Sequence, residues 1–82
     1  MKIIIYSSLL CPYCQAAKAL LKKLKLEFNK ILIDNNPSVK EQMIKLSKRK
    51  TVPQIFFGNR HIGGYDEVRA LEKENKLQEL LK

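Results

Sequence analysis

Eighty-two residues with a mass of 9.5 kDa make one small domain, residues 1–82, and leave no room for a second. Hydrophobic residues at 45% and charged residues at 29% exclude a disordered chain, and the longest apolar runs, around Ile3–Tyr6 and Leu9–Cys11, fall far short of the ~20 residues of a membrane helix. The net charge of +8 comes mainly from lysines spread along the expected helices, so a clustered nucleic-acid-binding face is not expected.

Lys2–Tyr6 is β-branched and continuous, as a strand buried on both faces would be. Ser7–Leu10 reads as a short loop. Pro12 suits the first position of a helix, where its missing N–H is an orphan anyway. Tyr13, Ala16, Ala17, Leu20, Leu21 and Leu24 then recur at helical spacing, and Lys22, Lys23 and Lys25 load the end of the helix that favours cations.

Glu27–Asp34 reads as a second strand. Asn36 is placed to cap a second helix, with Pro37 at its first position. Val39, Met43 and Leu46, with Ile44 beside them, form its apolar face. Pro53–Phe57 reads as a third strand, Gly58-Asn59 as a turn and Arg60–Ile62 as a fourth strand. Gly63-Gly64 punctuates, and a helix is expected from Asp66, with Val68, Leu71, Leu77, Leu80 and Leu81 apolar and Asn75 dividing it in two. The order β-α-β-α-β-β-α implies a parallel pair at the start and a tight antiparallel pair at Gly58. The expected fold is α/β, a four-stranded mixed sheet with helices on both faces.

The only cysteines, Cys11 and Cys14, form one Cys-x-x-Cys. A secreted disulfide framework carries more cysteines at wider spacings. A zinc site needs four ligands, and beyond this pair the chain offers only His61, which reads as an edge-strand surface residue, so no metal is expected. A redox dithiol remains. Cys11 immediately precedes the first helix, whose unpaired N–H groups and dipole favour a thiolate. Cys14 lies one turn in on the same side, within reach of a mixed disulfide on Cys11. Cys11 is therefore the expected nucleophile and Cys14 the resolving thiol. The absence of a small-residue cleavage site after the brief apolar stretch at the start argues against a signal peptide, and a reducing cytoplasm is the expected compartment.

Cys11-Pro12-Tyr13-Cys14, Thr51-Val52-Pro53 and Gly63-Gly64-Tyr65-Asp66 together resemble, in order and spacing, the three signatures of dithiol glutaredoxins, and the likeness is strongest to the small bacterial glutaredoxin 3 type. The resemblance covers nearly the whole chain. It implies a thioredoxin fold with sheet order 2-1-3-4, thiol–disulfide exchange as the reaction, and glutathione as co-substrate with no permanently bound cofactor. It implies that Cys11 attacks a protein disulfide or a glutathione mixed disulfide while Tyr13 flanks the sulfur. Pro53 matches the family's cis-proline. That geometry would turn the Val52 backbone toward the cysteinyl part of glutathione, with Thr51 supporting the turn. Gly64 and Tyr65 would form the helix start that holds the γ-glutamyl carboxylate, Asp66 would pair with its α-ammonium, and Lys40 would lie near the glycine carboxylate. The implied partners are glutathione and disulfide-containing or glutathionylated proteins, ribonucleotide reductase among them, with the chain acting as a monomer.

The sequence departs from the pattern in the segment just before the nucleophile, at Ser8, Leu9 and Leu10. Many family members have a lysine three residues before the nucleophile, where this chain has Ser8. That removes one source of thiolate stabilisation. Leu9 and Leu10 replace residues that are commonly polar and offer an apolar surface for docking a protein. The alternatives are a thioredoxin-like or NrdH-type redoxin reduced by a flavoprotein, and an iron–sulfur scaffold ligated by Cys11 and glutathione. The Gly63-Gly64-Tyr65-Asp66 stretch speaks against the first. Competition from Cys14, which can form a disulfide, speaks against the second.

Overall fold

The apolar run near the start of the chain becomes an inner strand of the sheet. In the computed structural model, which describes residues 2–80 with Gln78 and Leu80 as backbone only, the elements are β1 (Ile3–Ser7), α1 (Pro12–Lys23), β2 (Asn29–Leu32), α2 (Pro37–Ser47), β3 (Gln54–Phe57), β4 (Arg60–Gly63), α3 (Tyr65–Lys73) and α4 (Leu77–Leu80). The sheet order is β2-β1-β3-β4. β1 runs parallel to β2 and antiparallel to β3, and β4 closes the hairpin antiparallel to β3. This is the expected mixed sheet.

Strand alternation divides the core into two layers. Ile3 and Ile5 pair with Phe57 and Ile55, and this face packs on Ala17 and Leu21 of α1, Val68 of α3 and Leu77 of α4. Ile4 and Tyr6 point the other way, with Phe56, onto Met43, Val39 and Ile44 of α2. Helices therefore cover both faces.

Several boundaries differ from those read in the sequence. β2 is confined to Asn29–Leu32 rather than Glu27–Asp34, in register with Ile4–Ser7 of β1, and the Ile33 N–H makes a last bond to the Ser7 carbonyl as the chain turns away. Asn36 holds the N-cap position of α2, but its side chain makes no capping hydrogen bond. Leu46 is 53% exposed, so the buried face of α2 centres on Met43 instead. The helical end of the chain does divide at Asn75, which adopts φ 58°. Leu81 lies outside the described residues, as does the side chain of Leu80.

Two glycines seat α3 against the rest of the fold. Gly63 has φ +133°, and a Cβ there would lie 2.6 Å from Glu67 Oε1. Only glycine meets both demands. At Gly64 a Cβ would lie 3.2 Å from the Pro53 carbonyl oxygen. The start of α3 thus sits directly on the turn that leads into β3.

Candidate active site

Three chain segments meet at one end of the sheet: the loop from β1 into α1, the Thr51–Pro53 turn, and the start of α3. The first carries the dithiol. Cys11 is the N-cap of α1, and its sulfur accepts a hydrogen bond from the Cys14 N–H at 3.3 Å. The cysteine sulfur thus serves one of the orphan donors of the helix start, in the place where negative charge is favoured. Cys11 is half-buried and Cys14 fully buried, and both are free thiols.

Burial pushes the Cys14 thiol up from 9.0 to about 12, helped by its hydrogen bond to Cys11 and opposed by the Ser8 backbone N–H. Iodoacetamide applied to the reduced protein between about pH 7 and about pH 9 is therefore expected to label Cys11 alone, since the thiolate is the reacting form. Peptide mass mapping of the alkylated protein checks this. Equal labelling of both cysteines in the native protein would remove the asymmetry.

The Val52-Pro53 peptide bond is cis. The Cys11 thiol donates to the Val52 carbonyl across 3.6 Å. The turn is held from behind by Gln54, whose buried amide donates to the Thr51 carbonyl at 3.0 Å and to its hydroxyl at 3.3 Å. The other end of that amide, Oε1, lies 2.7 Å from His61 Nε2. Since the Gln54 nitrogen is spent on Thr51, Oε1 accepts and His61 Nε2 donates. Burial and the nearby Arg49 charge lower the His61 pKa, which keeps the ring neutral in that role. His61 does lie on the edge strand β4, but it is half-buried and stacked near Phe56, with ring centroids 5.0 Å apart, rather than a plain surface residue.

A groove of about 240 Å³ runs between the turn and α3. Of the expected site residues it brings together Tyr13, Thr51, Val52, Pro53, Gly64, Tyr65 and Asp66. The Tyr13 and Tyr65 rings face each other with centroids 6.4 Å apart. Lys40 is exposed on α2 and is not part of the groove lining. The lining cation is Arg49 instead, bonded to Glu67 Oε1. The same carboxylate oxygen accepts the Gly64 N–H at 3.2 Å. The Gly64 N–H is therefore occupied, and the donors that helix geometry leaves free are those of Tyr65 and Asp66.

Arg49, Gln54 and Glu67 were not singled out as site residues in the sequence, although Arg49 belongs to its densest basic cluster. Glu67 had a readable signal, since it stands at the capping-box distance from Gly64. Gln54 had a weaker one, as the lone polar residue opening an apolar strand. Asp34 had none. It reaches the dithiol loop from the turn after β2, with Oδ1 accepting from the Ser8 hydroxyl at 2.7 Å and Oδ2 from the Leu9 N–H at 2.8 Å. Those bonds hold its carboxyl below the usual range, the Leu9 N–H contributing most.

Among the described residues no helix is long and apolar enough to cross a membrane, and no group of three or more His, Cys, Asp or Glu could hold a metal ion. A glutaredoxin family model matches residues 3–62. Glutaredoxin 3 of Escherichia coli (strain K12) is 49% identical over 78 residues, covering 95% of this chain and 94% of that protein. A glutaredoxin of Pseudomonas aeruginosa is 39% identical over 79 residues, with 96% and 94% covered. The solution structure of a glutaredoxin from Brucella melitensis, 48% identical, matches with a TM-score of 0.88 over 100% of this chain and 89% of that one. The crystal structure of a buckwheat glutaredoxin–glutathione complex, 28% identical, also matches at 0.88, over 96% and 74%. A cysteine pair at the start of α1, beside a proline turn in a sheet of this order, agrees with those likenesses throughout: the chain belongs to the glutaredoxin family of thiol–disulfide oxidoreductases.

Proposed function

We propose that the chain works as a single domain that reduces protein disulfides and glutathione mixed disulfides at the expense of glutathione, with Cys11 as nucleophile and Cys14 as resolving thiol. The observation that carries this reading is the groove. It joins the turn whose Val52 carbonyl meets the Cys11 sulfur to the free N–H groups that open α3. Glutathione is a tripeptide with a central thiol and a carboxylate at each end. Its sulfur suits Cys11, and its backbone can lie along Val52 in the manner of strand addition. Its γ-glutamyl carboxylate suits the Tyr65 and Asp66 N–H groups, with the Asp66 carboxylate left for the α-ammonium. Arg49, on Glu67 at the start of α3, adds positive charge to the groove, and Lys40 stands outside it on α2.

In the first step the Cys11 thiolate attacks a disulfide sulfur, forms a mixed disulfide, and releases the other sulfur as a thiolate that takes up a proton. Glutathione then attacks the mixed disulfide, or Cys14 does so from within. Two glutathione molecules supply the two electrons and leave as their disulfide. No permanently bound cofactor is needed, and the cycle suits a monomer in a reducing cytoplasm. Disulfide-containing and glutathionylated proteins are the substrates of this reading, ribonucleotide reductase being one.

Steady-state reduction of a glutathionylated substrate, coupled to glutathione reductase, tests the proposal. Asp66→Ala is expected to raise KM for glutathione roughly fivefold with kcat little changed, from the loss of ~1 kcal/mol in a partly exposed charge-assisted contact. An unchanged KM would confine Asp66 to the first turn of α3. Turnover with a flavoprotein thioredoxin reductase, and none with glutathione, would replace the reading by the NrdH-type alternative.

A further inference from the structure

Gln54 is polar yet only 1% exposed, and its amide is bonded at both ends. The nitrogen donates to the Thr51 carbonyl at 3.0 Å and to the Thr51 hydroxyl at 3.3 Å. The oxygen accepts from His61 Nε2 at 2.7 Å. A carbonyl can only accept, so the amide nitrogen has to face Thr51 and the amide oxygen has to face the ring. His61 therefore fixes which way the amide points. The ring itself is set against Phe56, its partner across the β3–β4 hairpin. His61 does not line the groove. It holds Gln54, Gln54 holds Thr51, and the next residue, Val52, presents its carbonyl to the Cys11 sulfur at 3.6 Å.

We propose that Gln54, and His61 behind it, are positioning residues for peptide recognition beside Cys11, holding the Thr51–Pro53 backbone so that Val52 can pair with the cysteinyl backbone of glutathione. This rests on the reading of glutathione as the ligand of the groove. Backbone pairing is directional, and a turn already held in place loses less freedom when the peptide arrives. A buried network with its donors and acceptors matched is rigid, and removing one member leaves the others unsatisfied. The chemistry is separate from this pairing. The Cys11 thiolate attacks one sulfur of a disulfide, the new Cys11–sulfur bond forms, and the old sulfur–sulfur bond breaks. The second sulfur leaves with the electron pair and takes up a proton, so that Cys11 is oxidised and the leaving group reduced. That exchange needs a thiolate and an accessible disulfide. Only pairing with Val52 needs a peptide, and only pairing depends on Gln54 and His61.

The experiment sets two disulfides against each other in single-turnover oxidation of the reduced protein. Glutathione disulfide carries a peptide backbone, and bis(2-hydroxyethyl) disulfide carries none. In His61→Phe and in Gln54→Met the second-order rate with glutathione disulfide is expected to fall about tenfold, as for the loss of a buried hydrogen bond. The rate with the hydroxyethyl compound should change less than twofold. His61→Gln keeps an N–H donor and should recover most of the lost rate. His61 is half-buried at the sheet edge, so His61→Phe decides the matter even where Gln54→Met fails to fold. Equal slowing with both disulfides would overturn the proposal, because the variants would then act on the Cys11 thiolate or on the fold as a whole. So would an unslowed glutathione disulfide reaction in both variants. Slowing in Gln54→Met alone would overturn the part given to His61. If the unsubstituted protein reacts no faster with glutathione disulfide than with the hydroxyethyl compound, the glutathione reading itself fails, and the roles of Gln54 and His61 fail with it.

Discussion

Cys11→Ser is expected to lose reduction of both protein disulfides and glutathionylated substrates, by about 10³-fold or more, because both routes begin with the same attacking sulfur. Cys14→Ser is expected to divide them. A glutathionylated substrate hands its glutathione to Cys11, and a second glutathione removes it, so that rate survives. A protein disulfide becomes a mixed disulfide whose fast release depends on a thiol already in place, so most direct reduction is lost. The local geometry favours this assignment. Cys11 is the half-buried cap of α1, bonded to the Cys14 N–H, whereas Cys14 is fully buried. Paired assays with the two substrates measure it. Activity retained in Cys11→Ser, together with a Cys14→Ser variant dead in both assays, would exchange the two roles.

Phe57→Ala is expected to cost about 3–5 kcal/mol, the usual range for emptying a buried aromatic site. Phe57 is 1% exposed and sits in the layer formed with Ile3, Ile5, Leu21 and Val68. A small domain has only ~5–15 kcal/mol in total, so a large part of its stability depends on this ring. Thermal unfolding followed by circular dichroism should show Tm lower by ~15 °C or more. A shift under ~5 °C would mean that α1 and α3 collapse onto the sheet and refill the space. Activity at low temperature should survive, because Phe57 lies at the end of β3 away from the Pro53 turn.

The strands and the dithiol were both legible in the sequence, whereas the sheet order came only with the resemblance. The strands carry β-branched or aromatic runs between Gly, Pro and Asn punctuation, which is local information. The residues of the groove were legible through three short motifs and the resemblance those motifs carry. Contacts between distant segments were less accessible. Nothing in Asp34 itself says that it reaches back to Ser8, and nothing in Gln54 says that its amide spans from Thr51 to His61. Arg49 reads as one cation in a basic cluster until the fold brings it against Glu67. Lys40 shows the opposite case: its position in the chain matches the family pattern, yet the groove is lined by Arg49. Leu46 fits a helical period but is left 53% exposed.

Oxidants meet this dithiol unequally. A peroxide approaching from solvent reaches the half-buried Cys11 and not the fully buried Cys14. Its first product is a sulfenic acid, which a second equivalent would carry to an irreversible sulfinic acid. Here a protected thiol waits one helical turn away. Condensation with Cys14 would expel water and yield the Cys11–Cys14 disulfide, a species the proposed cycle already reduces. If Cys11 is the nucleophile proposed above, the burial that shields Cys14 from outside reagents also keeps it available to return an oxidised Cys11 to the dithiol cycle.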